Sequence, residues 1–125
     1  MERQESSPRR IERTAGRAGL LLEWERIGDD LSVKLTGGAS HVGAVAVGIF
    51  DSASGRASSS VITVPGHRED ELALQGARQF SEAIRSVTVF TVGIHVDDIT
   101  KREIEEIVSV SEGMIEELSG ILREG

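Results

Sequence analysis

Three histidines are the side chains of this sequence best suited to bind a metal or move a proton near neutral pH, and each sits where an apolar run meets a turn signal. They occur in Gly37-Gly38-Ala39-Ser40-His41-Val42-Gly43, Val64-Pro65-Gly66-His67-Arg68-Glu69-Asp70 and Val92-Gly93-Ile94-His95-Val96-Asp97-Asp98, and the 125 residues hold no other histidine. The glycines beside them let a ligand or a second stretch of backbone come close. Gly66-His67-Arg68 lead into a helical pattern, so the free N–H groups and positive dipole end of a helix, with the Arg68 fork, suit an anion. Glu69 and Asp70 compete for that same helix end.

The periods of the apolar residues show what must position these histidines. Leu20, Leu22 and Trp24 alternate with Leu21, Glu23 and Glu25, and Leu31, Val33 and Leu35 with Ser32, Lys34 and Thr36, around the turn residues Gly28-Asp29-Asp30. That is a hairpin with one wet face. His41 to Phe50 is apolar at both parities, as in a strand covered on both sides. Ala57 to Val64 is a fourth strand, stopped by Pro65-Gly66, and the four form a meander. The period then lengthens: Ala73, Ala77, Phe80 and Ile84 stripe a helix over 69–85. Val87 to Ile94 is a β-branched central strand. Thr100 with Glu103 makes a capping box, and Ile104, Ile107, Val108, Ser111, Ile115, Leu118 and Leu122 continue a long final helix. The expected class is α+β: a five-stranded, mostly antiparallel sheet in the order ββββαβα with two helices packed on one face.

This topology gathers the histidines. In a meander the start of the third strand lies beside the end of the fourth, which places His41 next to His67. A right-handed crossover through the first helix then brings the end of the fifth strand, with His95, to the same edge. Ligands of such sheets sit beyond the carboxyl ends of the parallel strands.

Composition narrows the function. Five arginines against three glutamates in residues 1–17 give a surplus of two positive charges, so the rest of a chain of net charge −7 carries −9. An acidic body argues against a nucleic-acid surface. Residues 1–15 lack periodicity and are expected to be a disordered basic tail, ahead of a single domain over 16–125. The longest apolar run, Val42 to Phe50, is far short of the roughly 20 residues of a membrane helix, and no secretory signal is expected. The absence of cysteine excludes disulfides and thiolate metal sites, and a cytoplasmic location is the default.

Three accounts of the histidines compete. Each could satisfy backbone carbonyls and do nothing more. His41, His67 and His95, with Asp97 or Asp98, could hold zinc with one open position and so support hydrolysis, although no histidine pair has the i, i+4 spacing of a helical zinc motif. Or the edge binds an anionic ligand without catalysis, and the reading leans toward a protein that is not an enzyme.

The three histidine-bearing segments, with Ala44-Val45-Ala46-Val47-Gly48 after the first and Ile99-Thr100 after the third, resemble the motifs of the LpdD-type prenylated flavin chaperone-like family over about residues 18–122. The resemblance implies a proteasome-assembly-chaperone-like fold, commonly dimeric. It also implies an accessory role in handling prenylated FMN for a UbiD-like decarboxylase subunit. On that reading the phosphate meets Gly66, His67 and Arg68, while His41 and His95 line the flavin side. Gly43 and Asp97, beside the first and third histidines, complete the candidate set. The low aromatic content, 3%, offers little to stack a flavin ring. Apolar character on both faces of the third and fifth strands, with helices enough for only one, points to a homodimer. A pure assembly chaperone docking partners on that sheet is the remaining alternative.

Overall fold

The stretch from Arg9 to Thr63 forms five strands, and in the computed structural model, which describes residues 9–65 and 69–125, these join a sixth at Thr88–His95 in one sheet. The elements are β1 (Arg9–Ala15), β2 (Ala18–Ile27), β3 (Asp30–Gly38), β4 (Ala44–Asp51), β5 (Arg56–Thr63), α1 (Asp70–Ile84), β6 (Thr88–His95) and α2 (Lys101–Glu124). The sheet order is β1-β2-β3-β6-β4-β5. Only the β3–β6 pair is parallel; the other four pairs are antiparallel.

Two expectations change. The sheet has six strands rather than five, because β1 lies in a stretch that has no clean alternation. Of its seven residues only Ile11 and Ala15 are buried, and Arg13, which shares their face, ends in an ion pair with Glu117 of α2 at 2.7 Å. An edge strand needs few apolar side chains when its partner supplies the ladder. The meander is also interrupted: β6 inserts between β3 and β4, and the crossover through α1 passes over β4. The physical reason lies in β6 itself. With Thr88, Phe90 and Val92 fully buried on the helix side and Val89 half-buried on the other, it is the segment with most to lose at an edge.

Both helices cover the same sheet face, α1 over β4, β5 and β6, and α2 over β1 and β2. Beneath them one row of side chains runs across the sheet through Ile11, Leu22, Leu35, Val92 and Ala44, and the next through Trp24, Val33, Phe90, Ala46 and Val61. Phe80 of α1 meets Phe90 edge to face, with centroids 5.2 Å apart. The capping box at Thr100 and Glu103 starts α2 as its sequence predicts, with both reciprocal bonds present.

Among the described residues no helix covers the opposite sheet face. A row across it reads Arg10, Glu23, Lys34, Thr91, Val45 and Ile62, charged over the first three strands and apolar over the last. Val47, Ile49 and Ile62 stand out on that apolar half, Ile62 at 80% exposure. No helix among the described residues is long and apolar enough to cross a membrane.

Candidate functional site

The parallel pairing of β3 with β6 sets Gly38 opposite His95, and the antiparallel pairing of β4 with β6 sets Ala44 opposite Val92. The loop between β3 and β4, which carries His41, therefore folds over the carboxyl end of β6. It is tied there by Ala39 N–H donating to the His95 carbonyl at 3.0 Å and Gly43 N–H to the Val92 carbonyl at 2.9 Å. The consequence is that the His41 and His95 rings lie edge to face with centroids 6.2 Å apart. Of the expected trio, these two are brought together. Gly66, His67 and Arg68 lie outside the described residues; Val64 N–H donates to the Gly43 carbonyl at 2.8 Å.

A residue that the sequence reading treats only as a competitor for the helix end proves central. Glu69, immediately before α1, is buried at 9% exposure. Its Oε2 accepts Ile94 N–H at 3.1 Å and lies 3.4 Å from His41 Nε2. The Nδ1 of His41 stands 3.2 Å from the Ala39 carbonyl, so both ring nitrogens have an oxygen within reach. The glycines of the motifs now have a specific use. A Cβ on Gly43 would lie 2.5 Å from Glu69 Oε1, and one on Gly93 would lie 1.5 Å from the His41 carbonyl oxygen. The signal for Glu69 was therefore Gly43, which faces it, legible only once β4 and β6 are known to be neighbours.

His95 is more open. Its Nε2 lies 3.0 Å from Asp97 Oδ1, and the Asp97 side chain is 90% exposed. The loop between β6 and α2 is held from outside by Arg17 in the β1–β2 turn, whose guanidinium donates to the Asp97 carbonyl at 2.7 Å and to Glu103 Oε2 at 2.6 Å. The hydrogen bond from Arg17, followed by that from Thr100 N–H, draws the Glu103 carboxyl down to about 2.

Chemically, the edge offers two imidazoles, one paired with a buried carboxylate and one with an exposed one. Among the described residues no group of three His, Asp or Glu side chains is placed to hold a metal ion. The four aromatic residues stand elsewhere: Trp24, Phe80 and Phe90 are buried in the core, and Phe50 lies under Arg85 at 5.5 Å.

The fold has a counterpart among solved structures. The chain is similar to a protein in the crystal structure of a chaperone complex for yeast 20S proteasome assembly, with a TM-score of 0.55 and 13% identity, over 92% of this chain and 98% of that one. No curated protein matches it. Residues 14–123 match the model of the prenylated flavin chaperone LpdD-like domain, which takes in nearly the whole sheet, both helices and the histidine edge, and the chain belongs to that family.

Proposed function

We propose that this is a non-enzymatic accessory protein that holds a phosphate-bearing cofactor, prenylated FMN, at the histidine edge for a UbiD-like decarboxylase. The observation that carries the reading is the edge-to-face approach of His41 and His95 at the carboxyl end of β6, within a family named for prenylated flavin. The donor set fits: imidazole N–H groups suit phosphate and flavin carbonyl oxygens, and Gly66, His67 and Arg68 would add backbone N–H and guanidinium donors. Bound here, the cofactor would serve the decarboxylase's chemistry rather than a reaction of this chain. His41 and His95 would orient it, Glu69 would hold the His41 ring in place, and Gly43 would keep the space that Glu69 fills. With no Phe, Tyr or Trp among the described residues of the edge, the hold is by hydrogen bonds more than by stacking, which favours release to a partner.

The proposal includes a homodimer. Its support is the uncovered apolar half of the sheet, where Val47, Ile49 and Ile62 are exposed. Light scattering at micromolar concentration should give twice the monomer mass, and a monomer would remove this part.

Titrating the purified chain with prenylated FMN should shift the cofactor's absorbance, and His41→Ala, His67→Ala and His95→Ala should each weaken the shift. No shift at high protein concentration would overturn the cofactor reading. A shift that survives all three substitutions would move the binding away from the histidine edge.

A further inference from the structure

A groove of about 370 Å³ opens between the N-terminal halves of α1 and α2, with the end of β6 beneath it. Its size falls within the roughly 300–1,000 Å³ of ligand-binding clefts. Leu72 of α1, Ile94 and Val96 at the end of β6, and Ile99, Ile104 and Val108 on the α2 side make it apolar. Ile99 and Ile104 remain 37% and 43% exposed, so apolar surface continues from the groove onto its shoulder.

The charge around this groove is of one sign. Glu69 and Glu71 stand on the α1 side and Glu112 on the α2 side, and no Lys or Arg lines it among the described residues. The ion pairs of those residues take up Glu12, Glu23, Glu69, Asp97, Glu103 and Glu117, but neither Glu71 nor Glu112. An anion entering here would meet carboxylates from both walls. A cation would be attracted by both, within the field of a chain whose net charge is −7.

We infer that the groove is a docking site for a segment of a partner protein in which large apolar side chains are flanked by lysine or arginine. The apolar side chains enter between Leu72, Ile94 and Val108 and cover the shoulder at Ile99 and Ile104; the cations bridge to Glu71 and Glu112. The inference does not depend on cofactor binding at the histidine edge. It does place the docked partner beside that edge, because His95 and Glu69 belong to both.

Calorimetry with the full chain and two synthetic peptides of about nine residues tests it, one alternating leucine with lysine and its twin alternating leucine with glutamate. The lysine peptide should bind about tenfold or more tightly than its twin, and added salt should weaken it. Glu112→Lys, an exposed change, should cost the lysine peptide about fivefold and improve binding of the glutamate twin. The pair Ile99→Ser with Ile104→Ser, its fold checked by circular dichroism, should cost about tenfold. Equal binding of the two peptides, or serine variants that bind as well as the parent, would overturn the inference. So would dodecyltrimethylammonium binding where the lysine peptide does not, or amide shifts that fall on Val47, Ile49 and Ile62 instead of Ile99 and Ile104. None of these readouts involves cofactor absorbance, so failure here and failure of the cofactor reading are separable.

Discussion

At the N-terminal end of β6 the carboxylate of Asp30 accepts the Ser86 hydroxyl and, at 3.1 Å, Val87 N–H; at the C-terminal end the carboxylate of Glu69 accepts Ile94 N–H at 3.1 Å. Both fasten the central strand to its neighbours, and there the likeness stops. The partners of Asp30 are a hydroxyl and an amide, which do not titrate, and they hold its carboxyl below the ordinary range, Ser86 more than Val87. Glu69 also faces the imidazole of His41 and lines an apolar groove. A carboxylate that closes a strand end with neutral donors is a fastening. One that shares its charge with an imidazole beside an open groove can respond to what binds there. The comparison teaches that the proposed site lies at the end of β6 where the backbone ladder runs out and where two glycines allow a loop to fold over it.

The most severe way to break this contrast is to deny the loop its approach. Gly93→Ala would put a Cβ 1.5 Å from the His41 carbonyl oxygen, a backbone atom that can yield only if the whole β3–β4 loop moves. A loss of about 3 kcal/mol, the upper range for overpacking, is expected in urea denaturation. Gly19→Ala, where nothing lies within 4 Å of the new Cβ, should cost nothing or stabilise by a few tenths of a kcal/mol. If Gly93→Ala were as mild, the loop would not be pinned to β6 and the pairing of His41 with His95 would lose its cause.

The next effect separates the acceptor role of Glu69 from its charge. Glu69→Ala strands Ile94 N–H in the interior and should cost about 1–3 kcal/mol, whereas Glu69→Gln keeps an acceptor and should cost less than half of that. Amide hydrogen exchange at Ile94 should quicken in the alanine variant and stay near the parent's rate in the glutamine one. The ring signals of His41 should move in both, because both remove the charge it faces. Unchanged His41 signals would mean that Glu69 is a fastening like Asp30, and the two ends would be equivalent.

Much of this contrast could be read before any coordinates. Alternation placed β2 and β3, the apolar run and the Pro65-Gly66 stop placed β4 and β5, the spacing of Ala73, Ala77 and Phe80 placed α1, and the capping box placed the start of α2, because each is a local pattern with a direct structural cause. The meeting of His41 and His95 followed from strand direction and survived the insertion of β6, since an antiparallel β4–β6 pair still brings the start of one to the end of the other. Three features were not legible. β1 borrows its stability from β2 and from Glu117, so its own side chains say little. That β6 is central was legible, but its insertion between β3 and β4 is a long-range choice among apolar strands that local sequence does not encode. The role of Glu69 depends on that choice, because only the β4–β6 pairing sets Gly43 and Ile94 around its carboxylate.

A smaller effect sharpens the comparison at the closed end. Because the Asp30 carboxyl titrates below its ordinary value of 3.8 in the folded chain, its contribution is fully present above that pH and is lost as pH falls through the folded value. Asp30→Asn should lower the Tm at pH 7 by less than Glu69→Ala does and flatten the acid side of the stability curve. Carboxyl carbon shifts of Asp30 followed on acidification would check the direction, and a midpoint at or above 3.8 would contradict it.

The smallest expected effect concerns the outer brace of the loop that carries Asp97, at the open end. Arg17 bonds the Asp97 carbonyl and Glu103 together and holds the Glu103 carboxyl at about 2 against an ordinary 4.5. The folded value is the lower one, so the stabilisation this pairing gives is complete above about 4.5 and disappears as pH falls through about 2. Arg17→Ala should therefore lower the Tm slightly at pH 7, and the difference from the parent should shrink on acidification and vanish near pH 2. In the same variant the Glu103 midpoint should rise toward 4.5, and the amides of Ile99 and Thr100 should exchange faster. The ring contact between His41 and His95 should persist, because the ties that fold the β3–β4 loop over β6 run through Ala39 and Gly43 and not through Arg17. If that contact were lost as well, the histidine edge would depend on the same outer brace as α2, and its independence from the rest of the open end would be gone.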